Sequence, residues 1–140
     1  MRGDAPLILL VDDDRDFLEL NRDVLERNGY KVLCTSAPQE ALEKMALVRP
    51  ALVVTDLIMN GLDTGFSFSR QLKQDPAFKD IPVIIVTAVG SEHGFDFRPR
   101  TPQDLTAICA DAYLEKPIPP EKLLEAVNGL LKRYSKEATG

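Results

Sequence analysis

Residues 7–14 read LILLVDDD: five apolar side chains in an unbroken run, then three carboxylates with no turn residue between. A run this short and wholly apolar is the pattern of a strand covered on both faces, as in a parallel sheet; a half-solvated strand would alternate. Ionised groups are costly in such surroundings, so Asp12 and Asp13 mark the carboxyl end of the strand. Asp14 suits a helix N-cap, because Phe17, Leu18, Val24 and Leu25 then recur at helical spacing until Asn28-Gly29 stops the pattern.

The same unit recurs along the chain. Residues 31–35 predict a second strand. Ser36 follows as an N-cap with Gln39 completing a capping box, and Ala41, Leu42 and Met45 form an apolar helix face. Pro50 precedes a third strand over 51–55, which runs into Asp56. Gly65, Phe66, Phe68, Ser69 and Leu72 predict a helix closing before Pro76, and Ile81-Pro82 introduces a fourth buried strand over 83–87. A short fifth strand over 112–114 precedes an amphipathic helix carrying Leu123, Leu124, Val127, Leu130 and Leu131.

Strand and helix alternate, so the expected fold class is α/β, a doubly wound parallel sheet with helices on both faces. Ligands in such sheets bind outside the carboxyl ends of the strands. Asp12, Asp13, Asp56, Thr87 and Lys116 all stand at or just after predicted carboxyl ends. The stretch 89–110 breaks the pattern, with glycine and proline interruptions and no helical period before 104–109. It predicts an irregular, extended region in which the fourth helix is short or displaced. His93 falls there and reads as an exposed bystander.

At 140 residues the chain is large enough for one self-sufficient core. The domain is expected over 1–134, with 135–140 as a tail and no room for an output domain. A net charge of −5 argues against a nucleic-acid surface; Lys132, Arg133 and Lys136 suit the last turn of a helix instead. No apolar run reaches transmembrane length and the N-terminus lacks a signal-peptide pattern, so a cytoplasmic location with no membrane partner is expected. Cys34 and Cys109 read as reduced packing residues.

Three carboxylates brought together repel one another, so at least one has a raised pKa unless a cation is bound. With no nitrogen or sulfur donor nearby, the fitting cation is a hard one that prefers oxygen.

Five features in this order resemble the receiver domain of two-component response regulators. They are Asp12-Asp13 after the first strand, Asp56 after the third, Thr87-Ala88 after the fourth, Tyr113, and Lys116-Pro117 after the fifth. The resemblance covers nearly the whole chain and implies the flavodoxin-like strand order 2-1-3-4-5. It implies Mg2+ held by the Asp13 and Asp56 side chains and the backbone carbonyl of Ile58, with Asp12 acting through metal-bound water. Asp56 is then the phosphoacceptor, Lys116 neutralises the phosphoryl oxygens, Thr87 donates its hydroxyl, and Tyr113 turns inward behind it. Pro117 follows a cis peptide bond by the same resemblance. A stand-alone signalling switch is implied, rather than a turnover enzyme. Its partners are a sensor histidine kinase or phosphotransfer protein and a downstream protein, and it is a monomer or a phosphorylation-dependent dimer.

The chain also departs from the family. After the acceptor it reads DLIMNGLDTG, with Asn60 where the family has proline and Gly65 one position late, though Asp63 keeps its spacing. The separation of Thr87 from Lys116 is long. Ile58 and Val89, two residues beyond Asp56 and Thr87, occupy positions where family members often carry polar side chains that orient the hydrolytic water. Both are apolar here, which predicts a long-lived phosphoryl group. Ala88 is small and leaves the acceptor accessible. Ile58→Asn combined with Val89→Glu is expected to speed loss of the phosphoryl group several-fold once donor is removed; an unchanged decay would contradict this. Two other readings remain open: a phosphorylation-independent pseudo-receiver, and an Asp-dependent phosphatase. The second is disfavoured by Asp16, where such enzymes have threonine or valine, and by a chain with no room for a cap domain.

Overall fold

The computed structural model describes residues 5–57, 64–88 and 110–139, excepting the side chains of 64–66, 88 and 133–139. Five strands, β1 (Leu7–Val11), β2 (Lys31–Thr35), β3 (Leu52–Asp56), β4 (Val83–Ala88) and β5 (Ala112–Lys116), form one parallel sheet in the order β2-β1-β3-β4-β5. Among the described residues four helices accompany them: α1 (Arg15–Arg27), α2 (Pro38–Met45), α3 (Thr64–Gln74) and α4 (Pro120–Thr139). The doubly wound α/β expectation and its strand order are met. The predicted short helix within 89–110 falls almost wholly outside the described residues, as do His93, Asn60 and Cys109. Among the described residues no helix is long and apolar enough to cross a membrane.

The apolar runs divide between the two faces by alternation. Leu9, Val11, Val53, Val83 and Ile85 join Ala41, Met45, Phe68 and Leu72 under α2 and α3. Ile8, Leu10, Leu52, Val54, Ile84 and Val86 join Leu18, Leu25, Leu123, Val127 and Leu130 under α1 and α4. Nearly all of these strand residues are inaccessible to solvent, as a two-sided sheet requires.

Helix ends follow local chemistry. Asp14 caps α1 by accepting from the amides of Asp16 (3.0 Å) and Phe17 (3.3 Å). At the other end Gly29 takes φ +93°, and the amides of Gly29 and Tyr30 bond to the carbonyls of Glu26 and Leu25, a Schellman closure. The expected Ser36 cap is corrected. The N-cap of α2 is Ala37, which makes no side-chain capping bond. Pro38 occupies the first helical position and forces the preceding residue into extended backbone, moving the helix start one residue on. Ser36 contributes differently, donating its amide (2.9 Å) and hydroxyl (3.3 Å) to the Glu40 carboxylate. β3 and β5 run to Asp56 and Lys116, so both side chains belong to strand ends, and α4 continues past Tyr134 to Thr139.

At the opposite, amino end of the sheet, Asp111 acts as a clamp. Its Oδ2 accepts from Lys73 Nζ (2.7 Å) and from the Val83 amide (2.8 Å), while Lys73 Nζ also donates to the Ile81 carbonyl (3.0 Å). One mostly buried carboxylate thus ties α3 to the starts of β4 and β5. Asp111→Ala leaves an ammonium and a backbone N–H without this acceptor and is expected to cost about 2 kcal/mol. Urea unfolding checks this; a loss under about 0.5 kcal/mol, the scale of an ordinary surface substitution, would contradict the clamp.

Candidate functional site

The chain leaves β1 for β2 on one side, and β3 for β4 on the other, so β1 and β3 lie adjacent where the winding reverses. Their carboxyl ends therefore open a crevice. Asp12 continues the alternating row of Ile8 and Leu10; Asp56 continues that of Val54, and Lys116 that of Ala112 and Leu114. Three rows packed under α1 and α4 thus finish in three charged groups at one rim.

Asp12 is wholly buried. Its amide extends the β1–β2 ladder by donating to the Thr35 carbonyl (3.1 Å), and its Oδ1 accepts from the Asp14 amide (2.9 Å), an Asx turn that leads into the capped helix. Asp13, one position on, is exposed. Carboxylate oxygens of Asp12, Asp13 and Asp56 lie within 4.8 Å of one another. Lys116 reaches into the same group, with Nζ 2.9 Å from Asp12 Oδ2 and 3.7 Å from Asp56 Oδ2.

The electrostatics follow from burial. Desolvation pushes the Asp12 carboxyl above its ordinary value, a shift opposed by Lys116 and the Asp14 amide and reinforced by Asp13. Burial works to lower the Lys116 ammonium, but the bond to Asp12 and the charges of Asp56, Asp12 and Asp14 outweigh it and raise its pKa. Lys116 is therefore held charged, and one ammonium faces an excess of carboxylates. Among the described residues the donor set is three carboxylates, which fits a hard divalent cation.

Of the other anticipated residues, Thr87 is buried near the end of β4, one position past Val86, whose partner across the ladder is Asp56. Ala88 pairs with Lys116. Tyr113 is half-buried on the edge strand β5 opposite Ile85, two rungs back from Thr87. The Lys116–Pro117 peptide is cis. Ile58 and Val89 lie outside the described residues. Phe17 was legible only as an apolar helix position, yet its ring lies 4.5 Å from Lys116 Nζ. Its place at the third helical residue after the Asp14 cap was the available signal. Cys34 is a free thiol whose pKa burial pushes up, with Sγ 4.0 Å from the Leu18 carbonyl, as suits a packing residue.

Comparison with known proteins agrees with this geometry. The family described as response regulator receiver domain matches residues 8–128. The response regulator MprA of Mycolicibacterium vanbaalenii is 37% identical over 128 residues, covering 90% of this chain and 50% of that protein. The phosphate regulon transcriptional regulatory protein PhoB of Pseudomonas aeruginosa is 32% identical over 126 residues, covering 90% of this chain and 52% of its own. The chain thus spans about half the length of these curated relatives. Among solved structures, a CheY-like response regulator receiver domain protein from Methanospirillum hungatei superposes with a TM-score of 0.78 at 26% identity, covering 95% of this chain and 98% of that one.

Proposed function

Because this chain belongs to the response regulator receiver domain family, we propose that it is a phosphoacceptor switch whose acceptor is Asp56. The observation that carries the reading is the cluster itself: Asp12, Asp13 and Asp56 with oxygens within 4.8 Å, and Lys116 in reach of Asp12 and Asp56. An Asp56 carboxylate oxygen attacks the phosphorus of a phosphohistidine or small acyl phosphate. The new O–P bond forms as the bond to the donor's nitrogen or oxygen breaks, and the donor leaves with that electron pair. Such a transfer needs the acceptor positioned and the equatorial oxygens neutralised more than it needs covalent assistance.

The chain's own groups meet both needs. Asp56 ends a strand that is buried along its length and paired on both sides up to Thr55, and Asp56 itself pairs with Val86 of β4. Lys116 supplies a fixed positive charge from the end of β5, already directed at Asp56. The Thr87 hydroxyl is assigned to a phosphoryl oxygen, and its movement, followed by Tyr113, to the conformational change. The Asp13 and Asp56 side chains, the Ile58 carbonyl and, through water, Asp12 would hold Mg2+. When bound, that ion neutralises carboxylate and phosphoryl charge.

The partners in this reading are a histidine kinase or phosphotransfer protein upstream and a protein downstream, in the cytoplasm, as is usual for the family. Mg2+-dependent covalent uptake from acetyl phosphate tests the reading. A chain that binds Mg2+ yet takes up no phosphate would instead be an interaction module.

A further inference from the structure

Lys116 is held by more than its carboxylate partners. Phe17 stands in the first turn of α1, half-buried, and packs against the same core cluster as Leu114 and Ile118, which flank Lys116 in sequence. The Lys116 ammonium lies over its ring, 4.5 Å from the centroid. The ring's backbone is pinned at both ends: its amide donates to the Asp14 cap (3.3 Å) and its carbonyl accepts from Asn21 Nδ2 (2.8 Å), with Asn21 itself buried. A single turn following β1 thus carries the acidic pair on one side and an aromatic face for the opposing cation on the other.

We infer that Phe17 is a positioning residue for Lys116, its ring face holding the ammonium at the distance from Asp56 where it can meet an incoming phosphoryl group. The physical need is specific to lysine. An ammonium is a compact charge on a flexible stem, without the rigid fork that would orient an arginine. Asp12, at 2.9 Å, draws it away from Asp56, at 3.7 Å. The ring quadrupole, 4.5 Å from the same ammonium, attracts the cation independently of both carboxylates and so limits how freely the stem follows Asp12. Leucine would fill similar apolar volume without a π face, whereas tyrosine keeps the face.

The inference rests on the phosphoacceptor reading for its role in transfer, but the placement is measurable without it. In protein carrying 13C-labelled lysine, the Lys116 ε-methylene signal is expected to be shifted upfield by the ring in wild type and Phe17→Tyr. It should return to the position of an ordinary lysine in Phe17→Leu. Mg2+-dependent labelling from acetyl phosphate should fall roughly threefold to tenfold in Phe17→Leu and stay within about twofold in Phe17→Tyr, the scale of a partly desolvated cation–π contact. An unshifted Lys116 signal in wild type, or equal labelling rates in wild type and Phe17→Leu, would overturn the inference. A shifted signal in a wild type that takes up no phosphate would instead uphold the placement and overturn the phosphoacceptor reading.

Discussion

Asp56→Asn is expected to take up no phosphate from acetyl phosphate in the presence of Mg2+, under conditions that label wild type fully. The amide keeps the size of the side chain but cannot serve as the nucleophile, and neither neighbouring acid is a substitute. Asp12 is buried and engaged by Lys116 and the Asp14 amide, and Asp13 is exposed on the following residue. The same change removes one negative charge from a cluster in which three carboxylates face one ammonium. Folding stability without Mg2+ should therefore hold or rise, within the usual range of a conservative polar change, about 0.5 kcal/mol. Function lost while stability is kept is the signature of a site assembled against electrostatic preference. Residual labelling of Asp56→Asn at a second position would contradict the assignment of the acceptor.

Lys116→Met should have nearly as large an effect, on two readouts of opposite sign with respect to metal. Removing the charge that faces the phosphoryl oxygens is expected to slow labelling by on the order of a hundredfold, the effect typical of losing one preorganised charge-stabilising group. Without divalent cation, the fold also loses the partner of a wholly buried Asp12 carboxylate. Breaking a buried pair from one side costs about 3–5 kcal/mol. Lys116 keeps 20% of its side chain exposed, and Asp12 can protonate because burial already raises its pKa, so about 2 kcal/mol is expected here. Mg2+ should restore much of that stability and bind more tightly than to wild type, since no ammonium competes for the same oxygens. Urea unfolding with and without Mg2+ reads both effects. A variant that is equally stable in both conditions would show that Lys116 does not balance the acidic cluster.

How much of this was readable without coordinates differs by feature. Wholly apolar runs at 7–11 and 83–86 read as strands covered on both faces, and helical spacing between them leaves a parallel sheet as the consistent arrangement. The rim residues followed from the same pattern, because charges that abut buried strands must sit at their ends. The division of labour between Asp12 and Asp13 was not legible, because β1 is covered on both faces: Leu9 and Val11, which share the parity of Asp13, are as buried as Ile8 and Leu10, which share that of Asp12. Contacts between distant segments were not legible. Nothing near Asp111 in sequence announces Lys73, and nothing near Lys116 announces Phe17, because packing of α1 and α3 on the sheet makes those meetings. Ser36 misled for a local reason, since its capping pattern was genuine but Pro38 set the helix start.

The central claim is that one phosphoryl group is transferred to Asp56. It is tested most directly by intact-mass spectrometry of the wild-type chain after incubation with Mg2+ and acetyl phosphate, followed by borohydride reduction and peptide mapping. The account predicts one phosphoryl group per chain, absent when Mg2+ is chelated, with the reduced residue mapping to Asp56. A chain of unchanged mass, or reduction at any other residue, would contradict it.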